Sequence, residues 1–469
     1  MRKKWLLSLG CMLTFFLVAC NGEDGEVTAD QENTPPAPGG GDDTAFETDP
    51  DALTIATVNN PDMQIMQDMA PEFEEEFGID VEFIVLPENE LRRTVTEDVA
   101  LGSGQFDIVT IGTYDAPIWA ANEWVVSLED HFAGMSAEEA DTYDRDDIFD
   151  SLKDALSYEG ELYALPFYGE SSILYYNKEM VENAGVEVPL NPTWEEVRNI
   201  AAAIQEANDV PGIILRGLPG WGEMFAPLNT IVNAFGGKWY DTDWNAQLTN
   251  DEFVDAIEFY VDLVNDYGQS GATSTGFTEA LTLMSTERAG MWYDATVAAG
   301  FLNNPDDSDV VDKIGYAFAP SQAKEDNGWL WAWSLAIGAA SENKDDAFKF
   351  ITWATSREYV EKVGEEKGWV VAPPGTRQST YENPEYQEVA PFAEIVLESM
   401  ERTDFRNPTV DPVPYYGIQY VAIPEFQQLG TEVSQEIASA LAGQQSVQEA
   451  LETGQAIAER VAEEGGYKN

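Results

Sequence analysis

Leu53-Thr54-Ile55-Ala56-Thr57-Val58 alternates apolar and polar positions, the period-two pattern of a strand. From Asp62 to Phe77, the apolar residues Ile65, Met66, Met69, Phe73 and Phe77 recur at helical spacing and predict one apolar stripe. Val81 to Leu86 predicts a second strand. Glu88 to Leu101 predicts a second helix, stopped by Gly102-Ser103-Gly104. Asp107-Ile108-Val109-Thr110-Ile111 predicts a third, buried strand. This β-α-β-α-β order implies a largely parallel sheet covered by helices.

The alternation resumes further on. Thr193-Trp194-Glu195-Glu196 and Thr249-Asn250-Asp251-Glu252 fit a capping box, with a hydroxyl at the N-cap and Glu three residues later. They predict helices running to about Ala207 and Asp266. Ile213-Ile214-Leu215, Ala289-Gly290-Met291-Trp292, Ile314-Gly315-Tyr316-Ala317 and Trp333 to Gly338 are strand candidates. A helix is expected near Lys344 to Ala354, and mostly helix from Ile423 to Ala462. No short-period repeat indicates a solenoid.

The first twenty residues differ in character. Arg2, Lys3 and Lys4 precede an apolar run from Trp5 to Ala19, which ends Leu17-Val18-Ala19-Cys20. The run is short for a permanent membrane helix, the competing assignment, and resembles the lipobox of a bacterial lipoprotein signal peptide. Residues 1–19 are therefore expected to be a signal peptide, and Cys20 the lipid-bearing mature N-terminus. Residues 20–50, with Pro35-Pro36-Ala37-Pro38-Gly39-Gly40-Gly41, predict an acidic, disordered tether. The remaining body is long enough for two domains. No second long apolar stretch occurs, so the body is expected on the outer face of the cytoplasmic membrane.

Composition then excludes several functions. With Cys11 in the leader, the mature chain has no cysteine to pair with Cys20, so stability must come from packing. His131 is the one histidine, which argues against a catalytic triad or a His-rich metal site. It is expected to be an ordinary surface residue. The 24 Lys and Arg stand against 86 Asp and Glu, a net charge of −62. Nucleic acid binding is disfavoured, because phosphates need basic neutralisation. The acid is spread along the chain and reads as a solvated surface suited to high salt or high pH.

Four segments set aromatics beside hydrogen-bonding groups at strand-to-loop junctions. They are Ile111-Gly112-Thr113-Tyr114-Asp115, Pro166-Phe167-Tyr168-Gly169-Glu170-Ser171, Met291-Trp292-Tyr293-Asp294 and Gly328 to Ser334. Ligands of open α/β sheets bind beyond the carboxyl ends of strands. A sugar or polyol needs aromatic faces for its C–H surface and partners for its hydroxyls. The competing assignment for each aromatic is the core. Trp329, Trp331 and Trp333 fall on one side of an extended strand, one for the core and the others for a cleft.

With these motifs in place, the body resembles the extracellular solute-binding proteins of ABC transporters, the class that includes maltose-binding protein. The block Leu91 to Ala100, continued from Gly104 to Trp119, is similar to the sorbitol/mannitol (polyol) branch. Further matches are Pro166 to Ser172, Gly220-Trp221-Gly222-Glu223, Ala234 to Gly237, Gly290 to Thr296 and Pro373 to Arg377. The resemblance implies an α/β fold of two lobes closing on a hinge, the type II Venus flytrap. Lobe 1 would comprise 51–165 plus 313–357, and lobe 2 166–312 plus 358–469. Asn59, Arg92, Tyr114, Asp115 and Trp331 or Trp333 would face the cleft from lobe 1. Tyr168, Glu170, Trp221, Trp292, Asp294 and Arg377 would face it from lobe 2 or the hinge. Trp292 and Trp221 would be stacking platforms. Asp294, Glu170 and Asn59 would meet hydroxyls, and Arg92 and Arg377 would supply directed donors. For each arginine the alternative is a surface ion pair.

The implied function is a monomeric, lipid-anchored receptor that hands a polyol or sugar to permease subunits, without cofactor, metal or catalysis. Its rivals are a receptor for an oligosaccharide or other small solute, and a secreted carbohydrate-active enzyme using a carboxylate pair.

Overall fold

The computed structural model describes residues 46–468, Glu47 excepted. The expected signal peptide, the lipidation site at Cys20 and nearly all of the tether lie outside the described residues.

The N-terminal elements fall where the pattern places them. Strand β1 (Leu53–Val58) is buried throughout, and α1 (Pro61–Phe77) follows it. Asn60 caps α1, its Oδ1 accepting from Met63 N at 3.0 Å, and Pro61 stands just inside, where its missing N–H costs nothing. Strand β2 (Val81–Leu86), helix α2 (Glu88–Leu101) and strand β3 (Ile108–Gly112) complete the series. Gly102 ends α2 at φ 63°, a left-handed conformation that glycine adopts freely. β1 lies between β2 and β3, parallel to both.

A short hairpin of β4 (Ser157–Tyr158) and β5 (Glu161–Leu162) precedes the long strand β6 (Ala164–Glu170). After Ser171 the chain enters β7 (Ser172–Asn177), which belongs to another sheet. There β7 lies between β8 (Met291–Ala295) and β9 (Ile314–Phe318), antiparallel to each. The chain returns through β10 (Trp331–Ile337), which inserts antiparallel between β3 and β6. The first sheet thus reads β2-β1-β3-β10-β6 and the second β8-β7-β9.

Three expectations are corrected here. The parallel arrangement stops at β3, because β10 enters from the opposite end and the second sheet is antiparallel throughout. The first sheet keeps the chain to Glu170 rather than 165, and β9 lies in the second sheet although residues from 313 were expected in lobe 1. Ile213-Ile214-Leu215 makes only one bridge, Ile214 to Trp292, and forms no strand.

The helix Trp194–Asn208 carries the expected capping box, with Thr193 Oγ1 accepting from Glu196 N and Thr193 N donating to Glu196 Oε2 at 2.8 Å. The helix Asp251–Tyr267 lacks its box: Asn250, not Thr249, is the N-cap and makes no side-chain cap bond. The C-terminal region forms the helices Phe426–Leu441 and Val447–Glu464. His131 stacks on Phe348, with ring centroids 5.0 Å apart. Among the described residues, no helix is long and apolar enough to cross a membrane, and no cluster of metal-ligand side chains occurs.

Candidate functional site

A cleft of about 820 Å3 opens between the two sheets. Its first wall begins where β1 ends. Asn59 and Asn60 line it there, followed by Glu88 and Arg92 from the first turns of α2. This is the carboxyl-end position that an open parallel sheet offers a ligand. Tyr168 and Glu170 reach the cleft from the end of β6, and Trp331 and Trp333 from the start of β10. The second wall includes Arg216, Trp221, Glu223 and Phe277.

Arg92 joins the two walls. Its Nε and Nη2 donate to Glu88 Oε1 at 3.1 and 2.9 Å. Its guanidinium lies 4.2 Å from the Trp221 ring centroid, 4.6 Å from that of Trp333 and 5.0 Å from that of Trp331. Arginine suits this place because its flat, weakly hydrated cation stacks on indoles while its edge forks to a carboxylate. Among the described residues, Arg92 Nη1 and Trp221 Nε1 are buried donors without a hydrogen-bond partner. Asn89 Nδ2 also spans the gap and donates to Pro219 O at 3.1 Å, while Gly220 N donates to Ser434 Oγ at 2.8 Å. The loop carrying Trp221 is thereby pinned to the helix Phe426–Leu441.

Two glycines are required by this packing. A Cβ at Gly112 would enter the Trp331 indole. One at Gly222 would come within 2.5 Å of Glu88 Oε1 and 2.7 Å of Arg92 Nε.

Tyr168 is oriented from behind, since Asn60 Nδ2 donates to its hydroxyl at 2.9 Å. Glu170 accepts from Trp329 Nε1 at 3.3 Å. Burial raises the Glu170 carboxyl well above the usual range; Arg216 opposes that rise and Asp294 adds to it. Burial, with Glu88 adding and Arg216 opposing, pushes Glu223 up to about 7.

Sequence reasoning missed Arg216 altogether. Its Nε donates to Asp294 Oδ2 at 2.9 Å and its Nη2 to Asp294 Oδ1. Its Nη1 donates to Gly222 O at 3.2 Å and reaches Glu223 Oε2 at 3.4 Å. Asn60, Glu88, Glu223, Trp329 and Gln419 also line the cleft and were not singled out as site residues. The available signal for Arg216 was a charged residue directly after the apolar run Ile213-Ile214-Leu215, in a chain poor in arginine.

Of the predicted residues, the cleft brings together Asn59, Arg92, Tyr168, Glu170, Trp221, Trp331 and Trp333. All three alternately spaced indoles, Trp329 included, line it, so none is given up to the core alone. The other five stand behind it. Trp292 is fully buried, stacks on Tyr175 with centroids 5.5 Å apart, and donates from Nε1 to Asp294 Oδ2 at 3.0 Å. Asp294 accepts from Arg216, Trp292 and the Ala295 amide, and so positions Arg216. Asp115 accepts from Gly112 N at 2.9 Å and sits 3.8 Å behind Arg92 Nη1. Tyr114 donates its hydroxyl to Ile423 O at 2.9 Å and packs on Trp221. Arg377 is fully buried elsewhere, donating to Asp147 Oδ2 at 3.0 Å and Thr355 O at 2.8 Å. Each of the five is held by protein partners through at least one polar atom.

The arrangement suits a neutral, hydroxyl-rich molecule, with indole edges and faces for its carbon chain and carboxylates, amide groups and a guanidinium for its oxygens. Comparison with known proteins agrees. A family model described as bacterial extracellular solute-binding protein matches residues 57–361. A mannitol-binding protein of Pseudomonas aeruginosa is 43% identical over 420 residues, 89% of this chain and 94% of that protein. An ABC transporter solute-binding protein from Agrobacterium vitis, solved with bound D-mannitol, superposes with a TM-score of 0.85 at 46% identity, over 88% of this chain and 99% of that one. One from Agrobacterium radiobacter in complex with ribitol gives a TM-score of 0.77 at 25% identity, over 88% and 99% of the two chains. The relatives are binding proteins rather than enzymes, and this chain, with their two-lobed α/β fold, belongs to the bacterial extracellular solute-binding proteins.

Proposed function

We propose that this protein is the receptor of an ABC importer and captures an alditol of mannitol type in the cleft between its two sheets. The observation that carries the reading is the stack of Arg92 among Trp221, Trp331 and Trp333, with Glu88, Glu170, Glu223 and Arg216 around it. Relatives of high identity include one named for mannitol binding and one solved with D-mannitol. The seven predicted residues that line the cleft are the proposed contacts, together with Glu88, Arg216, Glu223 and Trp329. Lobe 1 is built on the first sheet and lobe 2 on the second, with crossings at Ser171 and between Phe318 and Trp331. Ligand touching both walls favours the closed arrangement by its differential affinity, and the permease reads that arrangement. Cys20 carries the lipid that holds the monomeric receptor at the membrane.

A thermal-shift series with D-mannitol, D-glucitol, arabitol and maltose tests the ligand class, because a molecule that binds only the native state raises its melting temperature. The three alditols are expected to shift it and maltose to leave it unmoved; the reverse pattern overturns the polyol assignment. An intact N-terminus after expression with and without globomycin would overturn the anchor.

A further inference from the structure

The cleft holds more buried carboxylate than its cations neutralise. Arg216 is committed to Asp294 through two of its nitrogens. Arg92 is committed to Glu88, with Asp115 behind it at 3.8 Å. Lys367 lines the cleft but donates to Asp68 at 3.1 Å. Glu170 is left with one donor, the Trp329 indole N–H, and among the described residues no lysine or arginine forms an ion pair with it. Glu223 has a backbone amide, Phe277 N at 3.2 Å, and the long contact to Arg216, both on one oxygen, Oε2. Both residues are more than nine-tenths covered, and each borders the cleft. A buried carboxylate without a cation is costly, and a ligand that brings one removes the cost.

We propose that the cleft accepts amino-alditols, in which a terminal hydroxyl of the polyol is replaced by a protonated primary amine, and that Glu170, supported by Glu223, is the group that receives the ammonium. This rests on the polyol reading and names a second substrate class for the same site. A primary ammonium has three N–H donors and needs acceptors. It therefore differs from a quaternary ammonium, which has no N–H to donate and is held by aromatic faces alone. Such an amine carries its charge at pH 7, as lysine does with its pKa of about 10.4. The alditol carbon chain keeps the same contacts in both classes. The rise that burial imposes on both carboxyls agrees with a place built for a missing cation.

Calorimetry on the detergent-solubilised full chain at pH 7 decides the matter, with D-mannitol and D-glucitol compared against their terminal amino analogues. The amine is expected to bind at least about tenfold tighter than its parent alditol. Glu170→Gln is expected to bring that ratio close to one, and Glu223→Gln to reduce it, with melting curves checking that each variant folds. Parent alditols that bind while the amines bind equally or more weakly overturn this inference alone. A preference unchanged in both variants also overturns it. Alditols and amines that all fail to bind overturn the polyol reading beneath it.

Discussion

Arg216→Met removes the cation from a fully buried carboxylate. Asp294 would keep Trp292 Nε1 at 3.0 Å and the Ala295 amide at 2.7 Å, but its charge would be uncompensated. Breaking a buried ion pair from one side costs about 3–5 kcal/mol. The two surviving donors place this case near the lower end, at about 3 kcal/mol. Neutralising the survivor should then help. In the Arg216→Met background, Asp294→Asn removes that charge and leaves an imperfectly paired amide, and is expected to recover about 1–2 kcal/mol. In the wild-type background the same Asp294→Asn strands Arg216 and destabilises. The sign of one substitution thus depends on the other, which a double-mutant cycle measures directly. Unfolding in urea is the suitable assay, because guanidinium salts would screen the charges under test. If Asp294→Asn costs the same in both backgrounds, the ion pair does not hold this wall together and the reasoning fails.

Gly112→Ala places a methyl group in the Trp331 ring while Gly112 N is tied to Asp115. It should cost about 1–3 kcal/mol, shift tryptophan fluorescence and weaken alditol binding; unchanged emission and affinity would contradict the packing. Asp62 is raised to about 8, chiefly by burial, so the folded state holds its proton more tightly than the unfolded chain does. Its contribution to stability is therefore fully present below about pH 4 and declines as pH rises towards 8. Asp62→Asn should gain on the wild type across that window, by about 5 kcal/mol at most, and a gain independent of pH in urea melts would refute the assignment. Arg377→Met should lower stability by about 3 kcal/mol through Asp147 yet leave the alditol Kd within about twofold, since it lies outside the cleft; a large loss of affinity in calorimetry would return Arg377 to the site.

Local pattern was readable wherever one face of an element is buried. The helix from Glu88 to Leu101 emerges with both ends as expected, because its apolar spacing and the following glycine act within a few residues. The antiparallel entry of β10 was not readable, because strand direction in the sheet depends on a crossing more than a hundred residues after β6. The site divides on the same principle. Asn59 and Arg92 follow from their positions at a strand end and in the next helix. Trp292 and Asp294 show the same surface signal, an aromatic and an acid at the end of β8, yet serve the interior. What decides between them is Arg216, which is 78 positions from Asp294 in sequence. Arginine is scarce in this chain, but scarcity does not reveal the partner of Arg377, Asp147, 230 positions earlier.

The bonds that cross the cleft have a cost in signalling. Arg92 on Trp221, Asn89 to Pro219 O and Tyr114 to Ile423 O bind the two halves through side chains that reach across. Such stitching raises apparent affinity, because the binding-competent shape is populated before the solute arrives. It also makes the empty and loaded receptors resemble one another. A transporter that inspects shape then receives less contrast, and idle cargo-free encounters become more frequent. Sensitivity to scarce solute and fidelity of delivery are therefore set against each other by the strength of these few contacts.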